Sequence, residues 1–432
     1  MKKFFFLFIV LFSSCIYSQA QKLMTADEAL SIALKNNYNI LLAKTSADVD
    51  RANNTAGNAG MLPDIGINGS DIYSLNNVNQ KLSSGSQINA TTAHANTLNA
   101  GVALGWTLFD GGKMFVTKRK LNEIEMLGEI RFRDQVLQTS YDVIISYFNV
   151  VKQMQQLASY NEIIRYNMER VKLLQASFNA GLVPKTDLLQ AQIDLNVYQE
   201  NAIDQETVII AAKRTLNQLI SRNIDTPFEV EDSIKNNYVP DNKELEKKLL
   251  ENNTGILSLQ KELEVTKLSL KEFSALRFPT VNFSAGYDFL LGTNSASTVT
   301  SIRTYGPQLG GTISIPLFEG GNINRQIKVG KLQVKAAGYS LEGTRLDVTA
   351  QFQNALTEYN NQQHLLKIEL ENTALVKENL DICMDRLRLG QTTSLEVRQA
   401  EESFVASHTR LINFEFNTKV AETKLKQLVS AL

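Results

Sequence analysis

Proline is scarce in this chain, seven in 432 residues, and glycine reaches only 23. So few chain breakers exclude a fold of many short elements and point to long uninterrupted ones. Cysteine is scarcer still, at Cys15 and Cys383 alone. Cys15 falls in a segment that reads as a cleaved leader. The mature chain then keeps one thiol, which excludes an intramolecular disulfide even in an oxidising compartment. Cys383, at helical spacing from Leu380 and Leu387, reads as a core residue. An excess charge of one sign is also missing. Forty-four basic against 45 acidic residues leave a net charge of −1, without the electrostatic footprint of a nucleic-acid binder. His94, His364 and His408 are the only histidines, and none has metal-ligand spacing with another His or Cys. His94 reads as a loop residue and the other two as solvated helix residues. No nucleophile elbow, phosphate loop or dinucleotide fingerprint occurs, so the expectation is a non-enzyme with no cofactor.

The amino terminus carries an address. Lys2-Lys3 precedes the apolar run Phe4 to Phe12, and Ser18-Gln19-Ala20 is an acceptable cleavage site. Residues 1–20 read as a secretory signal, with the mature chain starting near Gln21. Lipidation of Cys15 is a rival, although Phe12-Ser13-Ser14-Cys15 is a poor lipobox. Beyond the leader no apolar run reaches the ~18 residues of a membrane helix. The expectation is an exported chain without a helical anchor.

What is present is said nearly twice. Trp106-Thr107-Leu108-Phe109-Asp110-Gly111-Gly112 recurs as Ile315-Pro316-Leu317-Phe318-Glu319-Gly320-Gly321. The offset is 320 − 111 = 209, and Gly181 and Gly390 keep it (390 − 181 = 209). The chain divides into a first copy at 21–220, a polar linker at 221–245 and a second copy at 246–432. Each copy reads as helix, β-hairpin (62–109 and 278–318), long helix, turn and helix.

The capping box Thr25-Ala26-Asp27-Glu28 opens the first helix, and Asn36-Asn37 interrupts it. From Lys113 to about Phe178 there is no proline and one glycine, Gly128. A helix of that span is about 100 Å long. Ile130, Leu137, Ile144, Val151 and Ala158 hold a seven-residue beat, with Asp134 and Gln155 as polar exceptions. Leu188, Ala191, Leu195, Tyr198, Ala202, Ile209, Ala212, Leu216 and Leu219 form a second stripe that skips Gln205. Adding 209 gives Val397, Ala400, Phe404, Ser407, Leu411, Thr418, Ala421, Leu425 and Leu428. Three glycines between Gly330 and Gly343 predict close packing or a bend. Lys118-Arg119-Lys120 reads as a solvated face, with Arg119 paired to Glu123.

Strands announce themselves by alternation: Leu98, Ala100, Val102, Leu104, Trp106 and Leu108; Val281, Phe283, Ala285, Tyr287 and Phe289; Leu309, Ile313, Ile315 and Leu317. A fourth, near Ile65 and Ile67, is less clean. The polar stretches Asn76 to Ala95 and Gly292 to Thr304 read as loops. The pattern suits a transmembrane barrel around a wet lumen, or any half-buried antiparallel sheet. Four strands cannot close a barrel, since about eight is the minimum. If they span a membrane, several chains must share the barrel.

The order of Leu23-Met24-Thr25-Ala26-Asp27-Glu28-Ala29-Leu30, Leu108-Phe109-Asp110-Gly111-Gly112, Phe178-Asn179-Ala180-Gly181-Leu182-Val183, Pro316-Leu317-Phe318-Glu319-Gly320-Gly321 and Arg388-Leu389-Gly390-Gln391 resembles the TolC-like outer-membrane efflux proteins. The resemblance covers the whole mature chain. It implies a mainly α fold with a membrane β-barrel, in which long helices form a coiled-coil barrel and three protomers give four strands each to one 12-stranded barrel. It further implies a homotrimer in outer-membrane lipid, extending into the periplasm. Its partners would be a periplasmic adaptor protein and an inner-membrane RND or ABC pump, in a tripartite efflux or type I secretion system. Asp110, Gly111, Gly112, Glu319, Gly320 and Gly321 would form the strand-to-helix corners. Ala180, Gly181, Leu182, Leu389, Gly390 and Gln391 would be periplasmic tips contacting the adaptor. Thr186, Asp187, Glu396 and Gln399 would line the entrance gate. Thr392 stands where an arginine latch would be expected, and Thr393-Ser394-Leu395-Glu396 is also a capping box. An exported coiled-coil scaffold or adhesin, with a soluble sheet and no channel, fits the same residues.

Overall fold

The computed structural model describes residues 23–432; the leader and Cys15 lie outside the described residues. Two short helices, α1 (Ala26–Asn36) and α2 (Tyr38–Asn53), lead to strands β2 (Asp64–Lys81) and β3 (Gln87–Asp110). Two long helices follow, α3 (Lys113–Asn179) and α4 (Lys185–Leu219). The second half repeats the order: α5 (Asn242–Asn252), α6 (Thr254–Ala275), β5 (Thr280–Asn294), β6 (Ser301–Ser314), α7 (Asn322–Arg388) and α8 (Ser394–Leu428). The matching helices have equal lengths, 67 residues for α3 and α7 and 35 for α4 and α8. No helix among the described residues is long and apolar enough to cross a membrane.

Local chemistry explains the boundaries. Thr25 accepts a hydrogen bond from the Glu28 N–H at the start of α1, as its capping box predicts. Asn37 ends α1: its Oδ1 accepts from the N–H groups of Asn39 and Ile40, while its Nδ2 donates to the carbonyl of Leu219 at 2.7 Å. Asn253 has the same place between α5 and α6, and its Nδ2 donates to the carbonyl of Leu428 at 2.8 Å. Each half thus breaks its first helix at a buried asparagine that caps the end of its last helix.

The compact units do not follow the halves. Among the described residues, one comprises 23–44, 132–254 and 345–432, the other 45–131 and 255–344, so each takes segments from both. In the first, Met24, Val143, Tyr147, Val150, Leu216, Ile220, Phe228 and Val230 share a buried core. Strand β1 (Leu23–Met24) pairs in parallel with β4 (Glu229–Val230). The linker is fastened from there on. The Tyr147 hydroxyl donates to the Met24 carbonyl and accepts from the Glu231 N–H; Tyr359 donates to the Tyr238 carbonyl, and Asn236 to that of Glu415. Gln155, polar where an apolar seam residue was expected, donates to the Asp232 carbonyl.

The second unit holds a four-stranded antiparallel sheet in the order β2-β3-β5-β6. Strand β3 pairs with β5 from Ala95↔Asn294 to Asp110↔Thr280 and so joins the two halves. Gly330 supplies the expected close packing. A Cβ there would meet Leu270 Cδ1 at 3.0 Å and Phe273 Cδ2 at 3.2 Å, whereas Gly338 and Gly343 face open space.

Several expectations are corrected. The polar stretches read as loops are mostly strand, leaving only 82–86 and 295–300 as turns. Strand pairing satisfies the backbone and does not require an apolar side chain. Strand β6 stops at Ser314 rather than running to Leu317, because Pro316 has no N–H to give a ladder. The seven-residue beat of α3 marks its buried side only in part: Leu137 and Val151 are buried, Ala158 is exposed, and Val143, Tyr147, Val150, Ile163, Asn167, Arg170 and Leu174 are buried off the beat. A straight helix drifts about 20° per heptad, which moves the buried stripe off a fixed beat. Gln205, skipped by the α4 stripe, is buried and donates to the carbonyl and side-chain oxygens of Gln153. Lys118 and Lys120 are not a free solvated face: Lys118 bonds the Asn54 carbonyl and Lys120 pairs with Glu272 at 2.5 Å. Glu123 pairs with Lys261 instead of Arg119. His94 lies in β3, its Nδ1 2.7 Å from the Tyr73 hydroxyl. His408 is half-buried with its ring 4.1 Å from that of Phe404. Cys383 is buried as expected.

Candidate functional site

The two helix reversals have the same backbone. Gly181 has φ +73° and Gly390 φ +68°, the left-handed region that glycine enters without strain. Leu182 N–H donates to the Ser177 carbonyl and Gly181 N–H to that of Phe178. Gln391 and Gly390 repeat this with Arg386 and Leu387. Both ends are Schellman turns that satisfy the last carbonyls of α3 and α7. Ala180, Gly181, Leu182, Leu389, Gly390 and Gln391 are all exposed.

The side chains beyond those turns differ. Helix α4 starts after Pro184 with no side-chain cap, and the Thr186 hydroxyl lies 3.5 Å from Asp187 Oδ1. Helix α8 is capped by Thr393, whose hydroxyl accepts from the Glu396 N–H. The Glu396 carboxylate takes a hydrogen bond from Thr392, and Arg386 stands 3.7 Å from it. No hydrogen bond or ion pair among the described residues joins Thr186 or Asp187 to Glu396 or Gln399. Thr186 and Asp187 contact each other, and Glu396 is held by Thr392, Thr393 and Arg386 of its own reversal. The arginine missing at position 392 is replaced beside Glu396 by Arg386 from the preceding helix.

Polar bonds tie α3 to α7 along this stretch. Glu162 pairs with Lys377 at 2.7 Å, Tyr166 donates to Asp381 at 2.6 Å, and Glu169 pairs with Arg388 at 2.5 Å. Burial, then the bond to Asp381, pushes the Tyr166 hydroxyl up to about 12.

The most consequential cluster was not anticipated. Arg170 of α3 is fully buried, with Nη1 2.6 Å from Glu401 Oε2 of α8 and Nη2 2.6 Å from Asp194 Oδ2 of α4. Glu401 is 1% exposed, and its Oε1 has no hydrogen-bond partner. Burial raises the Glu401 carboxyl to about 7. Arg170 opposes the shift, and the like charges of Asp194 and Glu402 add to it. Burial likewise drives Tyr198 up to about 12. A groove of about 300 Å³ between α4 and α8 reaches this cluster past Ile193, Val197 and Arg398. The one sequence cue is that Arg170 and Asp194 fall on otherwise apolar faces, which spacing alone reads as register noise.

At the first strand-to-helix corner, Asp110 ends β3 and its carboxylate accepts from the Met114 N–H, capping α3. Gly111 has φ +72°, and a Cβ there would meet the Ala275 carbonyl at 2.4 Å. Gly112, Gly320 and Gly321 also have positive φ but face open space. At the second corner the Glu319 carbonyl accepts from the Asn322 N–H. A polar cavity of about 820 Å³ beside the first corner is lined by Lys113, Lys120, Asp110, Glu272 and Glu319.

The sheet has two unlike faces. Ile67, Val102, Tyr287 and Pro307 pair across the four strands, as do Ile65, Leu104, Ala285 and Leu309. The alternate rows are Asn68, Gly101, Asp288 and Gly306, then Gly66, Ala103, Gly286 and Gln308. The apolar rows are uncovered, with Ile67 85% and Leu309 78% exposed.

Comparison with known proteins places this architecture. Outer membrane protein TolC of Escherichia coli K12 is 23% identical over 437 residues, covering 96% of this chain and 83% of its own. Outer membrane efflux protein BepC of Brucella suis is 22% identical over 342 residues, covering 77% of this chain and 72% of its own. The crystal structure of the outer membrane protein VceC from Vibrio cholerae superposes with a TM-score of 0.77 at 17% identity, over 94% of this chain and 95% of VceC. The outer membrane efflux protein family profile matches residues 29–222 and 245–431. The chain belongs to the outer membrane efflux protein family.

Proposed function

We propose that this chain is the passive exit duct of a tripartite efflux or type I secretion system, assembled as a homotrimer and gated at its helix tips. The observation that carries the reading is the sheet. Its apolar face is uncovered, its other face is small and polar, and its outer strands β2 and β6 each have one edge unpaired among the described residues. Such edges in lipid cost several kcal/mol per unpaired backbone group. Three copies supply 3 × 4 = 12 strands and remove every edge, with the apolar rows toward lipid and the polar rows toward a lumen. The equal helix lengths support an internal duplication, in which two equivalent wedges per chain approximate a sixfold ring. The linker of residues 221–245 then serves as an equatorial fastening across both halves.

In this arrangement the turns at Gly181 and Gly390 face the periplasm and receive an adaptor, and energy comes from an inner-membrane pump. Glu396, half-exposed, would recur three times around the entrance and favour cations. Fractionation of the cell envelope tests the assignment. A heat-modifiable trimer in the outer membrane with conductance in planar bilayers is expected. A protein recovered in water without detergent would overturn the duct and favour the scaffold. Cross-linking the tips shut should stop export without preventing assembly.

A further inference from the structure

The Arg170 cluster breaks the relation between the halves. With the offset of 209, Arg170 corresponds to Asn379, Asp194 to Ser403, and Glu401 to Gln192 (401 − 209). All three counterparts are exposed and uncharged. The cluster was built once, where α3, α4 and α8 meet, and the capping of either tip does not require it.

Its charges do not balance. Asp194, Glu401 and Glu402 bring three carboxylates against the guanidiniums of Arg170 and Arg398, the latter 3.8 Å from Asp194 and 3.1 Å from Glu402. Arg170 is already divided between two carboxylates, and Glu401 Oε1 is left without a donor in the interior. A buried ionised oxygen without a donor is unfavourable, whereas the neutral acid is not. The other elements supply no further cation. Helix α7 brings Leu380, Cys383 and Met384 to the neighbouring core, and its Asp381 is held by Tyr166. From α4, Tyr198 faces the cluster as a neutral phenol.

We propose that Arg170, Asp194 and Glu401 form a proton-operated clasp that holds α8 against α3 and α4 and tightens on acidification. This rests on the gate reading above and names its control. With Glu401 protonated, the packed arrangement is free of the unpaired charge. When the proton leaves Glu401 for water in the groove, the carboxylate gains by becoming hydrated, and α8 separates from α4. The sign follows from linkage. The packed state holds Glu401 near 7, and the separated state returns it to the ordinary carboxylate range near ~4.3. Between those values the packed state carries the extra proton. The separated fraction therefore rises with pH by up to about tenfold per unit, and levels off above 7. His408, two turns along α8, is held below its usual value by burial and by Lys377, against the opposing pull of Glu162. Its charging on acidification works against packing, so the two groups respond in opposite directions.

The test uses the full-length protein in detergent, with spin labels at Lys185→Cys in α4 and Leu395→Cys in α8. Their separation is measured from about pH 5 to about pH 8. A longer-distance population should grow up to neutrality and then stay constant. Glu401→Gln, a neutral mimic of the protonated acid, should keep the short distance throughout. Asp194→Asn should move the transition to lower pH, and infrared difference spectra should lose the protonated-carboxyl band in Glu401→Gln. Identical distances across the range, or an unchanged pH response in Glu401→Gln, would overturn the clasp. Conductance of the same protein separates the two readings. A pH-dependent spacing with constant conductance would keep the clasp and remove the gate.

Discussion

The two tips share a backbone and differ in nearly every charge. Both turn on a glycine with φ near +70° and close the same pair of hydrogen bonds. Beyond the turn, α4 has no side-chain cap, whereas α8 has Thr393, a Thr392–Glu396 bond and Arg386 alongside. Higher on the same helices, the first half supplies Arg170 and Asp194 and the second supplies Glu401. The difference teaches what two halves with the same element order keep in common. Helix length, the left-handed residue and the buried stripe are constrained by packing. The ionisable groups are free to diverge, and they diverge where α3, α4 and α8 meet.

The comparison breaks most sharply at Arg170. Arg170→Ala leaves the buried Glu401 carboxylate without its ion-pair partner and the half-buried Asp194 with Arg398 alone, for an expected loss of about 3–5 kcal/mol. Asn379→Ala, its exposed counterpart, should stay within about 0.5 kcal/mol. Thermal unfolding in detergent reads both, and equal losses would show that the cluster has no special place.

The corners provide a second contrast. Gly111→Ala meets both a positive φ, worth about 1–2 kcal/mol, and the Ala275 carbonyl, adding about 1–3 kcal/mol of overpacking. Gly320→Ala meets only the first, so its midpoint should fall by roughly half as much. A similar loss at both would contradict the geometry of the first corner.

Where the halves agree, substitutions should agree too. Asn37→Ala and Asn253→Ala each remove the buried side-chain donor to a leucine carbonyl at the end of the last helix of their half, Leu219 or Leu428. Each should lose about 1–3 kcal/mol in chemical denaturation, with the two values close together. The smallest effect belongs to Glu396→Gln. The Thr393 cap to its backbone persists, so stability should change by less than about 0.5 kcal/mol. Only the cation preference of the conductance should fall.

Much of this was legible one-dimensionally. Gly181 and Gly390 announced the turns because few other residues enter the left-handed region cheaply. Scarce proline and the matched stripes announced helices of equal length. The paired asparagines Asn36-Asn37 and Asn252-Asn253 were a further cue: the first was read as a break, and the second is its equivalent in the structure. The strand limits were less legible, because hydrogen-bonded ladders carry polar residues as readily as apolar ones. This is why Asn76 to Ala95 read as a loop and is mostly strand.

The sequence by itself determined the periodic features: the 209-residue offset, the helix lengths, the turn glycines and the apolar and polar alternation of the sheet. These are local or repetitive, and each is written in neighbouring residues. Only the tertiary structure decided that Arg170, Asp194 and Glu401, separated by 24 and 231 positions from Arg170, share one buried site. It also decided that Arg386 of the preceding helix joins Thr392 beside Glu396 and supplies the positive charge that position 392 lacks. Ionisable side chains take their properties from desolvation and from partners distant in sequence, and spacing along the chain carries neither.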